Sequence, residues 1–148
     1  LLQRTLEELS EAVADEDKAS ARSLLGLLYC FQSRLQQAAL ELGRSRADAE
    51  EMEEPALIAF CQGNAAFYAA LTNTPSVYKK LVDDMSKYDM FYTLARQTWL
   101  ELLERMARHT HAQEHSRQSK RLMEIVAQMW GDLGFKVRET KLLGSLDA

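Results

Sequence analysis

Large apolar residues recur at alternating steps of three and four through Tyr78, Leu81, Met85, Tyr88, Tyr92, Ala95, Trp99, Leu102 and Met106. Such steps put every member on one face of an α-helix, and a face that apolar needs partner helices to bury it. A second stripe runs through Leu2, Leu6, Leu9, Val13, Asp17, Ser20, Leu24, Leu28, Phe31, Leu35, Ala38 and Leu42. No glycine or proline lies between Val13 and Leu24, so the spacing predicts one helix over 2–42, with Asp15-Glu16-Asp17 as an alternative restart. Gly43 supplies the stop, since glycine enters the left-handed region cheaply.

Further on, Ser45 and Asp48 resemble a helix start, and Pro55 suits a first helical turn. Residues 56–71 are apolar nearly all round, broken only by Gln62, Gly63 and Asn64, as befits a central helix surrounded by others. Its small residues Ala59, Gly63, Ala66 and Ala70 would let a neighbour approach closely. Thr74-Pro75 reads as an N-cap and first position, from which the long seam runs to Met106. Residues 108–121 are polar, and Leu122, Val126, Met129 and Leu133 then resume in shifted register, so the chain turns back there. Gly134 followed by Phe135 marks a Schellman-type stop. The pattern describes an all-α fold, an antiparallel bundle of four or five long, heptad-patterned helices. Residues 1–134 form the bundle domain, and 135–148 form a tail with an apolar cluster at Leu142, Leu143 and Leu146.

Composition narrows the function. Two prolines and six glycines in 148 residues leave a helix-former's vocabulary. A net charge of −4 weighs against nucleic acid, whose phosphates are bound by concentrated Lys and Arg. Cys30 and Cys61 sit in apolar helical stretches, where a thiol behaves as a small hydrophobe. No signal-peptide pattern and no run of about 18 apolar residues appears, which reads as a cytoplasmic protein. Leu1 in place of methionine reads as a segment of something longer.

Motifs that carry chemistry are scarce. His111-Ala112-Gln113-Glu114-His115 matches the H-x-x-E-H of inverted zinc peptidases, whose histidines share a metal while the glutamate polarises water. Those enzymes need a third ligand and a substrate chamber, and a polar stretch of a short chain offers neither. Adventitious metal binding by His111 and His115, with His109 nearby, is the stronger metal reading, and a solvated face stronger still. A di-iron bundle requires Glu-x-x-His pairs, and Glu51, Glu54, Glu101 and Glu104 form none. No axial histidine lies on an apolar face, and no G-x-S-x-G, Gly-rich phosphate loop or Cys-x-x-Cys occurs. No cofactor is expected.

The sequence therefore points to a non-catalytic protein–protein interaction or oligomerisation module, an adaptor or scaffold. Its contact surface is expected at Leu25, Tyr29, Leu100 and Leu103, which lie off the seams, and at the basic residues Arg105, Arg108, Arg117, Lys120 and Arg121. The acidic run Glu50, Glu51, Glu53 and Glu54 could face that basic segment from a sister chain. A second reading is a small-molecule-sensing bundle whose pocket holds Gln62 and Asn64, walled by Tyr68, Tyr78, Tyr92 and Trp99. A membrane surface, met by the basic segment, is the third.

Overall fold

In the computed structural model, Arg4, residues 15–86 and residues 93–146 are described. Seven helices occupy the two segments: α1 (Asp15–Phe31), α2 (Leu35–Met52), α3 (Pro55–Leu71), α4 (Pro75–Ser86), α5 (Thr93–Glu114), α6 (Arg117–Asp132) and α7 (Lys136–Leu146). The fold is an all-α bundle, with more and shorter helices than four or five. The stripe from Leu2 to Val13 and the seam members Tyr88 and Tyr92 lie outside the described residues, as does the side chain of Ala95.

The helix expected over 2–42 is broken at Gln32-Ser33-Arg34. Arg34 N–H bonds the carbonyl of Tyr29 at 2.9 Å and Ser33 N–H that of Cys30 at 3.2 Å, with Ser33 at φ +61°. That is a Schellman stop with serine in the place glycine usually holds. The same device ends α3, with Asn73 at φ +58°, Thr74 N–H on Ala69 and Asn73 N–H on Ala70. It ends α6 as the sequence predicts: Gly134 has φ +100°, and Phe135 N–H reaches the carbonyl of Trp130 at 2.7 Å. The Phe135 and Trp130 rings then meet edge to face, 5.2 Å apart, supplying the hydrophobic contact of that motif.

Gly43 does not stop a helix; it lies inside α2, which continues to a left-handed Glu53. Pro55 and Pro75 do open α3 and α4. The polar stretch 108–121 is helical on both sides of a tight break at His115-Ser116. There Ser116 and Ser119 form a reciprocal capping box that starts α6. Residues 136–146 form α7, and its Leu142 is only 1% exposed.

Packing explains the order. α3 touches α1, α2, α4 and α6, as a helix apolar all round must. α1 and α2 pair through the Ser33 turn, α5 pairs with α6 and α6 with α7, and α1 also meets α5. The main core gathers Leu27, Phe67, Leu100, Leu103, Leu122, Ile125, Met129 and Trp130, all fully buried. A satellite of Ala19, Ala49, Leu57 and Cys61 closes the end where α1, α2 and α3 meet.

Two stripes are rotated from the expected face. On α5 the buried positions are Trp99, Leu100, Leu103 and Ala107, whereas Leu102 is 41% exposed. On α1 Leu25, Leu27, Tyr29 and Cys30 are buried and Leu24 is 38% exposed. Leu25, Tyr29, Leu100 and Leu103 are thus core residues and not a contact surface. In both helices adjacent residues are apolar, so periodicity fits either face. The partner decides: a Cβ on Gly26 would lie 2.6 Å from Leu42 Cγ, which brings this side of α1 onto α2. Arg34, stacked 4.9 Å over the Tyr29 ring, helps cover that side.

Candidate functional site

Of the six residues expected around a central pocket, Tyr92 lies outside the described residues, and Asn64 and Trp99 meet in the core. Trp99 Nε1–H donates to Asn64 Oδ1 at 2.8 Å, and Asn64 Nδ2–H donates to Ser23 Oγ at 2.8 Å. Asn64 and Ser23 are fully buried, and the chain ties α1, α3 and α5 through one satisfied amide. A Cβ on Gly63 would fall 2.9 Å from the Trp99 ring and 3.2 Å from Met85 Cε, so the ring lies flush on the α3 backbone. Gln62 is buried and its Oε1 has no hydrogen-bond partner among the described residues. Tyr68 is half-buried and faces elsewhere, into the groove described below. Tyr78 is buried, and its hydroxyl donates to Asp132 at 2.7 Å. Burial above all, then the Asp132 and Glu139 charges, push its phenol far above the ordinary value.

The basic residues divide. Arg108 pairs with Glu104 on its own helix at 3.2 Å. Arg121 donates to the carbonyl of Ala70 at 3.2 Å and so caps the C-terminal end of α3. Arg105, Arg117 and Lys120 are exposed. Glu104 also accepts from Trp130 Nε1 at 3.1 Å, and Glu101 pairs with Arg138 at 2.8 Å, so the acidic residues among them hold the bundle together. Glu50 of the acidic run pairs with Arg46 of the same helix at 3.4 Å.

His111 and Glu114 lie at the end of α5 and His115 just beyond it. No group of three or more His, Cys, Asp or Glu placed to share a metal occurs among the described residues. Cys30 and Cys61 are free, buried thiols; burial pushes Cys30 up to about 12 and Cys61 in the same direction. Thiols held protonated in this way are poor nucleophiles. No helix of the described residues is long and apolar enough to cross a membrane.

A groove of about 300 Å³ opens between α2, α3 and α4. Ala39, Leu42 and Gly43 form one wall, Ala65, Tyr68 and Ala69 the floor, and Val77 and Leu81 the other wall. Arg46, Thr72 and Thr74 supply polar lining at its edge. The groove exists because small residues recur four apart on two adjacent helices, Ala39 with Gly43 and Ala65 with Ala69. A Cβ on Gly43 would meet nothing within 4 Å, and Val77 on the rim is 44% exposed. The sequence holds that signal, but attention to Ala59, Gly63, Ala66 and Ala70 selects the neighbouring stripe, the one that packs inward.

Compared with protein-family models, with curated proteins and with solved structures, the chain matches none.

Proposed function

We propose that this chain is a non-catalytic protein-interaction module whose α2–α3–α4 groove receives the apolar face of a helix from a partner protein. The observation that carries the reading is the groove itself: a cleft open to solvent, with an apolar floor of small residues and a thin polar rim. Amphipathic helices are recognised in this way, by anchors one turn apart laid into an apolar groove. Small residues on the floor let a partner backbone come close, while Arg46, Thr72 and Thr74 offer directional contacts at the edge. Asn64 is engaged inside the fold with Ser23 and Trp99, and Tyr78 with Asp132. A cleft of about 300 Å³ stands at the lower limit of small-molecule sites.

A photo-crosslinking residue at position 43, inside the cell, tests the reading. The expected result is a polypeptide adduct that disappears when Ala65→Asp places a charge on the groove floor and persists when Lys120→Ala alters a distant helix. Light scattering on the purified protein then separates a second copy of this chain from a different partner. A folded, crosslinker-bearing protein that yields no polypeptide adduct would overturn it.

A further inference from the structure

The corner between α5 and α6 carries chemistry that a docking module does not require. His111, in the last turn of α5, has Nδ1 2.8 Å from Ser119 Oγ, and the Ser119 side chain is fully buried. Ser119 Oγ also accepts from Ser116 N–H at 3.0 Å and has the carbonyl of Ser116 at 2.9 Å to donate to. With its hydroxyl proton directed to that carbonyl, Ser119 accepts Nδ1–H from His111 and leaves Nε2 of the ring with an unshared pair. His115 follows one turn later at φ +45°, and the two rings lie 4.9 Å apart, centroid to centroid, tilted by 56°.

We propose that His111 and His115 form a two-histidine site for a late first-row divalent cation, Cu2+ before Zn2+, with Ser119 as the outer-shell group that orients His111. Each imidazole would bind through Nε2. A metal–nitrogen bond of about 2.0–2.1 Å plus the half-width of the ring makes an arm of about 3.2 Å; two such arms put the ring centroids about 4.5 Å apart at the cis angle of tetragonal copper and about 5.2 Å apart at a tetrahedral angle. The observed 4.9 Å falls between these values, and rotation of the exposed His115 ring would bring its Nε2 toward that of His111. Imidazole nitrogens suit copper and zinc, and copper binds most tightly in the divalent series. A histidine ligand usually donates its other N–H to an oxygen, and here a rigid capping serine is in place to receive it. Water completes the coordination, because two protein ligands leave positions open. The ion would tie the left-handed end of α5 to the preceding turn and brace the capping box that starts α6.

Calorimetric titration of the purified protein with ZnCl2, and with CuCl2 followed by electron paramagnetic resonance, tests the site. One ion per chain is expected, removed by EDTA, with nitrogen hyperfine structure in the copper spectrum. His111→Gln, which can still bond Ser119, and His115→Asn, which tolerates the left-handed backbone, should each weaken binding at least tenfold without altering the helical circular dichroism. His109→Ala, two residues away on another face, should leave it unchanged. Absence of binding, equal loss in all three variants, or affinity retained in the His111→Gln/His115→Asn double variant would each overturn the proposal, the last two marking adventitious surface binding.

Discussion

Replacing Asn64 by leucine keeps the branched four-atom outline of the side chain and removes its two hydrogen bonds, so it tests what the buried amide contributes. The substitution strands Trp99 Nε1–H, which has donated to Oδ1 at 2.8 Å, and the Ser23 hydroxyl, which has accepted from Nδ2 at 2.8 Å. An unpaired buried polar group costs about 1–3 kcal/mol. The serine can turn its hydroxyl to a carbonyl of its own helix and falls at the low end. The indole has no such freedom, because its ring is pressed on Gly63. Together they cost about 3–4 kcal/mol, a large share of the ~5–15 kcal/mol that a domain has in total. For a chain of 148 residues that is a melting temperature lower by about 10 °C. Urea unfolding followed by circular dichroism should show the midpoint falling with m unchanged. Ser23→Ala in the same background should cost less than it does alone, because the group it removes is already unpaired. A drop in melting temperature under about 2 °C for Asn64→Leu, or strict additivity with Ser23→Ala, would refute the argument that this amide is a required cross-tie.

Two glycines should respond with opposite sign. Gly63→Ala drives a methyl into the Trp99 ring and should destabilise by about 1–3 kcal/mol, whereas Gly43→Ala meets open space and should stabilise by up to about 1 kcal/mol; thermal melts of both decide. Alkali should unfold the protein through Cys30 and Tyr78, whose folded pKa values lie above the unfolded 9.0 and 10.0. The folded state then holds protons the unfolded state has lost, so their stabilisation is complete below pH ~9 and falls above it. The loss approaches ~1.4 kcal/mol per pH unit for each group. Urea midpoints taken with reductant between pH ~8 and ~11 should show this slope, and Tyr78→Phe should make it shallower.

How far the sequence could be read depended on which signal each element carried. Pro55, Pro75 and Gly134 mark helix ends because their backbone geometry leaves few alternatives, and the structure uses all three as expected. The Ser33 turn was illegible, since a serine in the left-handed region leaves no mark in a pattern whose apolar spacing continues from Phe31 to Leu35 and Ala38. Gly43 misleads for the opposite reason: a glycine that looks like a stop is a helical position kept small. On α4 and α6 one face alone is apolar, and Tyr78, Leu81 and Met85, like Leu122, Val126, Met129 and Leu133, are buried as read. Around Leu24–Phe31 and Trp99–Leu103 apolar residues stand side by side on more than one face, and only the partner helix selects which is buried. The groove was hidden for a related reason. It is an absence of side chains between three helices, set by Ala39, Gly43, Ala65 and Ala69 together, and no single residue announces it.

The position of that groove follows from an imbalance in α3. A helix apolar nearly all round must be covered on every side, and α3 has α1, α2, α4 and α6 against it. Gly63 and Ala66 draw their neighbours in until the surface closes, and both are fully covered. On the opposite side Ala65 and Tyr68 remain half-buried, because Ala39 and Gly43 of α2 are too short to reach across and α4 starts beyond them with Val77 turned outward. A side chain in place of Gly43 improves helix propensity, and its Cβ meets nothing within 4 Å. A chain that keeps glycine at an exposed mid-helix position forgoes about 1 kcal/mol for open space over an apolar floor. That sacrifice is intelligible if something else supplies the missing side chains. The inference therefore predicts a separation of stability from function at one residue: Gly43→Leu should raise the melting temperature while abolishing the polypeptide adduct formed by a crosslinker placed at Val77. A Gly43→Leu protein that is more stable and still forms that adduct would show that the glycine has no part in recognition.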